Sequence, residues 1–402
     1  MAENNLMQED ISKAEKILYK TYNRYQVVFD HGEGIHLYDE NGTEYLDFFA
    51  GIAVNALGYH YPGYDEALKN QVGKILHVSN YFYNEPALHA GEKLLKISGM
   101  DKVFFTNSGT EAIEGALKIA RKYAFSKTND TSRSEIIAME HSFHGRSMGA
   151  LSVTGSESYR TPFGPLIPGV KFAAFNDLDS VKKLVNAHTC AIICEPIQGE
   201  GGIYPATDEF LKGLRELCDE HDLILIFDEI QCGMGRSGRY FAWQYSNVKP
   251  DVMTVAKALG NGVPIGAFLA CGKAADVMKP GDHGSTYGGN PLVCAAADFV
   301  LGAFEKDDIL SNVNCVGAYL KNELQELKKI CPHIKDVRGK GLILGMELDI
   351  PVGPVIQKAL YEEHLVLINA GSHIIRFVPP LIIRESDADD AVRRIKKVLL
   401  SI

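Results

Sequence analysis

No stretch of the sequence approaches the ~18 consecutive apolar residues that a membrane-crossing helix requires, so no membrane span is expected. The first residues, MAENNLMQEDISK, lack the basic start and apolar centre of a secretory leader, and the expected compartment is the cytoplasm. Positive charge is scarce: 41 Lys and Arg stand against 51 Asp and Glu, a net charge of −10 with no basic cluster, which argues against a nucleic-acid partner. The eight cysteines contain no CxxC pair, and several sit in apolar stretches such as TCAIICEPI. Neither a zinc site nor a disulfide framework is indicated, and reduced structural thiols are expected. Internal repeats, linkers and low-complexity tracts are missing too. With 46% apolar and 23% charged residues among 402, disordered and collagenous chains are excluded, and an ordinary globular protein of two or more substructures is left.

Three zones differ in texture. Residues 1–55 read as a helix (IxxAEKILYKTY) followed by a small meander in VVFDHGEGIHLYDENGTEYLDFFAG, with a turn signal at Asp39-Glu40-Asn41-Gly42. Within 56–295, and most clearly from about 100 to 270, short apolar runs (KVFFTN, EIIAME, KFAAF, TCAIICEP, LILIFDE, DVMTV, GAFLACG) alternate with helical periodicity. In EAIEGALKIARKYA, Ile113, Ala116, Leu117, Ala120 and Ala124 keep to one face, as for a helix lying on a sheet. Strands apolar throughout predict burial on both faces, hence a doubly wound, largely parallel α/β sheet. Residues 296–402 carry two long amphipathic helices (AYLKNELQELKKI, ADDAVRRIKKVLL) between the strand candidates GLILGMEL, LVLINA and IIRFVP, and read as a smaller α+β lobe.

Four stretches carry chemistry. LILIFDEIQCGMGRSG ends an apolar strand in Asp228-Glu229, at the sheet edge where α/β folds bind ligands. Its Gly233, Gly235 and Gly238 match G-x-G-x-x-G, but they do not follow the strand directly, and the two intervening acids disfavour a pyrophosphate there. In DVMTVAKALGNG, Lys257 is either a surface lysine opening a helix or a desolvated amine able to condense with a carbonyl. KVFFTNSGTEAIEGALK places Ser108, Gly109 and Thr110 at a helix start, where free N–H groups suit a phosphate monoester; read alone it is a helix capped by Ser108 or Thr110. HSFHGRSMGALSVTG sets Phe143, His144 and Arg146 close together; His141 and His144 are spaced like metal ligands but have no third ligand nearby, and no metal is expected. Two carboxylates follow another strand in EPIQGE, and Arg376 is the odd charge in an apolar stretch, a solvent-facing strand arginine if nothing more. A lysine, an Asp, a helix N-terminus and an aromatic ring together describe a pyridoxal phosphate site.

In order along the chain, SGTEAIEGALKIAR, FHGRSMGALSVTG, EPIQGEGG, LIFDEIQCGMGRSG, TVAKALGNG and GSTYGGNPLVCAAA resemble the class III aminotransferases of the fold-type I pyridoxal phosphate enzymes, over about residues 15–400. That resemblance implies a cofactor site of Ser108, Gly109, Thr110, Phe143, Asp228, Glu229, Ile230, Gln231, Lys257 and Thr286. Lys257 matches the lysine that carries the cofactor aldehyde and Asp228 the partner of its ring nitrogen. Arg146 matches the arginine for the substrate's α-carboxylate. Glu195 and Glu200 match two family glutamates, the second able to pair with Arg376. Ser285 and Thr286 match residues that reach the neighbouring subunit's site, which implies a homodimer with shared active sites. Within the class, SNYFYNEPALHAGEKLL and INAGSHIIRFVPPL are most similar to the branch acting on N2-acetylornithine with 2-oxoglutarate in arginine biosynthesis, although that branch commonly has Asn where Ile113 stands. Ornithine, 4-aminobutyrate, succinylornithine and acetyl-lysine are alternative donors. A racemase or decarboxylase would need no second substrate, and a cofactor-binding regulator would show no half-reaction.

Overall fold

The computed structural model describes residues 3–402. At its centre a seven-stranded sheet runs in the order Lys102–Thr106, Gly266–Ala270, Val252–Val255, Ile224–Asp228, Thr189–Cys194, Glu135–Met139, Val170–Ala173. Every pairing is parallel except the two made by Gly266–Ala270, so the sheet is mixed by a single reversed strand. The four inner strands from Gly266–Ala270 to Thr189–Cys194 are buried at every residue, as their unbroken apolar runs predict. Helix Gly109–Thr128 packs on the sheet with Ile113, Ala116, Leu117, Ala120 and Ala124 all buried. Its close approach requires Gly115, where a Cβ would fall 2.1 Å from the Phe268 ring. The fold is thus of the fold-type I α/β kind, with helices on a mostly parallel sheet.

Two smaller sheets flank this core. Phe29–Glu33, His36–Asp39 and Glu44–Asp47 form the expected meander, turned where Asp39 Oδ1 accepts the Asn41 and Thr43 N–H groups and Gly42 takes a φ of +77°. Its fourth strand, Leu365–Val366, comes from the other end of the chain and runs parallel to Glu44–Asp47. The second sheet is Ile334–Lys340, Ile343–Leu348, Ile374–Phe377 and Ile368–Asn369. LVLINA, expected as one strand, is therefore split: Leu365–Val366 serves one sheet and Ile368–Asn369 the other, with Leu367 buried at the crossing.

The first helix spans Glu3–Ile17, earlier than its periodicity suggests, because Ile17, Tyr19 and Tyr22 stay exposed and find no apolar face to pack against within the chain. All eight cysteines are free thiols; seven are buried and Cys315 is exposed. Among the described residues no helix is long and apolar enough to cross a membrane, and no cluster of three metal-ligating side chains occurs.

Candidate active site

Five strands of the central sheet end on the same edge, and the residues just past their ends converge on one cavity of about 470 Å³. Asn107–Thr110 follow the first strand, Phe143–Arg146 come just beyond Glu135–Met139, and Glu195 ends Thr189–Cys194. Asp228, Ile230 and Gln231 lie at the end of Ile224–Asp228, and Lys257 lies just past Val252–Val255. Val54 and residues 262–265 close the remaining wall.

Lys257 is half-buried and begins a one-turn 3-10 helix, so each half of the sequence alternative is present: it does open a helix, yet it lines the cavity. Its φ is +47°. Burial holds its amine below the ordinary lysine range and Arg376 adds to that, while Glu200, Asp228 and Glu195 pull the other way. Asp228 is nearly sealed from solvent. Its Oδ1 accepts the Ile230 N–H at 3.0 Å and the Thr254 hydroxyl at 3.1 Å, and its Oδ2 lies 2.7 Å from His144 Nδ1. His144 Nε2, buried, has no partner among the described residues. His144 is thereby a partner of Asp228, whereas His141 is exposed, which removes the metal-like pair. Glu195 accepts the Phe143 and Gly199 N–H groups; burial raises its carboxyl to about 7, with His144 opposing and Asp228 adding.

At the other end of the cavity Ser108 is the cap: its hydroxyl accepts the Glu111 N–H. The N–H groups of Gly109 and Thr110, first in the helix, have no carbonyl partner within it. The Thr110 hydroxyl is instead tied to Ser147 Oγ at 2.8 Å. Asn107, which the sequence reading passed over, also lines the cavity and bonds Glu111 at 2.9 Å and Ser285 Oγ at 3.2 Å. A polar residue at a strand end beside Ser-Gly-Thr was the available signal.

Beside the cavity, Arg376 is fully buried rather than solvent-facing. Its Nη1 donates to Glu200 at 2.6 Å and to Gln231 Oε1 at 2.7 Å, and its Nη2 to the Asn369 carbonyl at 3.2 Å. Burial alone would raise the Glu200 carboxyl, but the Arg376 guanidinium outweighs it and holds the group below its ordinary value.

One residue expected at this site lies elsewhere. Glu229 points away from the cavity and accepts the N–H groups of Ala242 and Trp243, the start of a 3-10 helix; enclosure raises its carboxyl to about 7 despite those bonds. Ser285 and Thr286, which the resemblance assigns to the neighbouring subunit's site, lie outside this chain's cavity: the Ser285 hydroxyl accepts from Gly288 and Asn107, and Thr286 is exposed. Ile113, by contrast, is core: it faces the sheet and does not line the cavity. Gly235 and Gly238 of the G-x-G-x-x-G match serve packing against Phe304 and Asn314, with Arg236 buried between them and donating to the Leu342 and Pro379 carbonyls.

A lysine, a buried carboxylate and a helix start around one cavity, on this sheet, define a fold-type I enzyme of the kind that handles amines through pyridoxal phosphate. The family profile of Aminotransferase class-III matches residues 18–399. The chain belongs to the class III aminotransferases. It is 51% identical to the acetylornithine aminotransferase of Clostridium acetobutylicum, over 94% of this chain and 98% of that one, and 47% identical to the acetylornithine aminotransferase of Aquifex aeolicus, over 95% and 99%. Among solved structures, ornithine aminotransferase from Toxoplasma gondii superposes with a TM-score of 0.94 at 32% identity, covering 98% of this chain and 95% of that one. N-acetylornithine aminotransferase from Stenotrophomonas maltophilia K279a superposes with a TM-score of 0.84 at 36% identity, covering 97% and 98%.

Proposed function

We propose that the enzyme moves the terminal amino group of N2-acetyl-L-ornithine to 2-oxoglutarate, giving N-acetylglutamate 5-semialdehyde and L-glutamate, a step of arginine biosynthesis. The residues present fit pyridoxal phosphate: free helix N–H groups for the phosphate, Asp228 for the ring nitrogen, Phe143 for one ring face and a lysine whose amine burial holds below its ordinary range. When bound, that group supplies an aldehyde for amines and a ring able to take up the electron pair of a broken C–H bond. Gly109 and Thr110, with Ser108, hold the phosphate, and Phe143, Ile230 and Gln231 confine the ring. Asp228, kept in place by Thr254 and His144, would face the ring nitrogen and favour its protonated form. Lys257 would hold the cofactor's aldehyde carbon, and its amine, when free, would take the proton from the carbon bearing the transferred nitrogen and deliver it to that aldehyde carbon, on the other side of the nitrogen.

The observation that carries the choice of substrates is the pair of arginines in different states. Arg146 is exposed at the cavity and has no hydrogen-bond or ion-pair partner among the described residues, whereas Arg376 is buried and neutralised by Glu200. Acetylornithine offers its terminal amine next to an apolar chain and its α-carboxylate farther out, which suits a masked Arg376 and a free Arg146. Glutamate and 2-oxoglutarate carry a carboxylate beside the reacting carbon, which suits Arg376 released from Glu200 and able to bind it bidentately. Gln231 and the Asn369 carbonyl keep the guanidinium in place when Glu200 leaves.

Mixing the holoenzyme with single amines tests this reading: acetylornithine should convert the cofactor to its amine form faster than ornithine, 4-aminobutyrate or acetyl-lysine, and 2-oxoglutarate should restore it. Glu200→Ala should shift the ratio of single-turnover rates toward glutamate. Arg376→Ala should shift it toward acetylornithine by on the order of 10²-fold, since truncating one member of a buried charge pair costs about 2–5 kcal/mol. An unchanged ratio in either variant defeats the exchange of partners.

We also propose a homodimer whose sites are shared. Tyr81, Phe82 and Tyr83 expose 94%, 69% and 107% of their surface, a run of three large rings open to water, and Tyr287 beside Thr286 is exposed too. A second copy laid over this patch is supported by its apolar character. Sedimentation equilibrium of the holoenzyme should return twice the chain mass, and Phe82→Asp should lower it; a monomeric wild-type enzyme with full activity would overturn the dimer.

A further inference from the structure

Among the described residues no carboxylate or carbonyl holds the Arg146 guanidinium, yet it is not unattended. Its carbon lies 3.9 Å from the centre of the Tyr159 ring and 5.4 Å from that of Phe143. The two rings meet edge to face at 6.2 Å between centres, an arrangement that favours both the aromatic pair and the cation on their faces. Tyr159 belongs to the short helix Glu157–Arg160, in a stretch that carried no motif. That helix is itself pinned: the next residue, Arg160, lies 4.1 Å over the Phe172 ring, and Phe172 belongs to the sheet strand Val170–Ala173.

We propose that Tyr159 is a positioning residue for the donor: by stacking on Arg146 it fixes where the guanidinium presents its N–H groups, and so sets the affinity for a donor bearing a carboxylate remote from its reacting amine. The inference rests on the reading of Arg146 as the group that receives that carboxylate. Its physical basis is a division of labour around one planar cation. The ring occupies a face of the guanidinium and takes no N–H, so all five donors remain for the ligand, whereas a carboxylate partner would compete with it. A long side chain otherwise free to sample many rotamers is pre-organised by the ring, and less freedom is lost when the ligand binds. Among the described residues the tyrosine hydroxyl has no hydrogen-bond partner, so the face of the ring, rather than its polar tip, carries the effect.

Four variants of the holoenzyme, assayed in single turnover with acetylornithine and with N-acetyl-1,4-diaminobutane, the same donor without its carboxylate, decide the matter. Tyr159→Leu keeps the bulk that packs on Phe143 but has no π face; it should weaken apparent binding of acetylornithine roughly fivefold, with the limiting rate nearly unchanged. Tyr159→Phe should restore the wild-type value to within about a factor of two. Neither should alter the reaction of N-acetyl-1,4-diaminobutane. Arg146→Ala should weaken acetylornithine binding more strongly, and adding Tyr159→Leu to it should have no further effect, because a cycle through two coupled residues is non-additive. If Arg146→Ala weakens acetylornithine binding and Tyr159→Leu does not, the positioning role falls while the reading of Arg146 stands. If Arg146→Ala has no effect, both fall. If Tyr159→Leu slows both donors alike, or Tyr159→Phe fails to restore binding, the residue acts through the fold or through its hydroxyl and the proposal is overturned.

Discussion

Lys257→Ala should leave the chain folded and cost at least about 10⁴-fold in turnover, because one side chain supplies both the amine that carries the cofactor and the base that moves the proton. The substitution removes a half-buried ammonium whose charged form burial already disfavours, so no buried partner is left stranded that would endanger the fold. Glu200, Asp228 and Glu195, the carboxylates that favour the charged amine, keep Arg376, Thr254 with His144, and two backbone N–H groups respectively. Circular dichroism and melting temperature should therefore stay close to wild type. Borohydride reduction of the wild-type holoenzyme followed by peptide mapping should place the label on Lys257. A label elsewhere, or an alanine variant within tenfold of wild type, excludes the assignment.

A loss of about 10³-fold is expected in the half-reaction of Asp228→Asn, equivalent to about 4 kcal/mol of transition-state stabilisation. The amide is nearly isosteric but uncharged, and it presents one acceptor where the carboxylate presents two. Oδ1 already serves Ile230 and Thr254, so an amide oxygen placed there leaves its NH₂ facing His144. The imidazole would then have to accept rather than donate, and no anion would remain to hold the ring nitrogen's proton. Cofactor retention measured by absorbance separates this from simple loss of binding: an Asn variant that keeps its cofactor and reacts at near-normal single-turnover rates shows that Asp228 is not the ring partner.

The parts of the molecule read correctly from sequence were those whose physics is local. A strand that is apolar at every position, as in LILIF, announces burial on both faces, and polar residues just past its end announce the ligand edge. The face of the helix through Ile113, Ala116 and Ala120 follows from its period alone. What stayed hidden depends on residues far apart in the chain. Spacing alone left Arg376 an odd charge in an apolar stretch; its pairing with Glu200, 176 positions earlier, was implied only by the family resemblance, and its bond to Gln231 by neither. The resemblance put Glu229 in the cofactor site with Asp228, but successive residues at a strand end point opposite ways, and its side chain turns to cap the helix that begins at Ala242. Tyr159 gave no pattern, since stacking on a distant arginine leaves no trace in spacing, and Asn107 gave only its place at a strand end beside Ser-Gly-Thr, not its bridge to Ser285.

The backbone at Lys257 has a further consequence. A φ of +47° is a conformation that non-glycine residues occupy at a cost of about 1–3 kcal/mol, and here it is adopted by a long side chain that must also surrender its hydration. Glycine at that position would relieve both burdens at once. The inert protein should thus be harder to unfold than the active one, so selection for thermal resistance alone would drift toward losing the lysine, and only selection for turnover retains it.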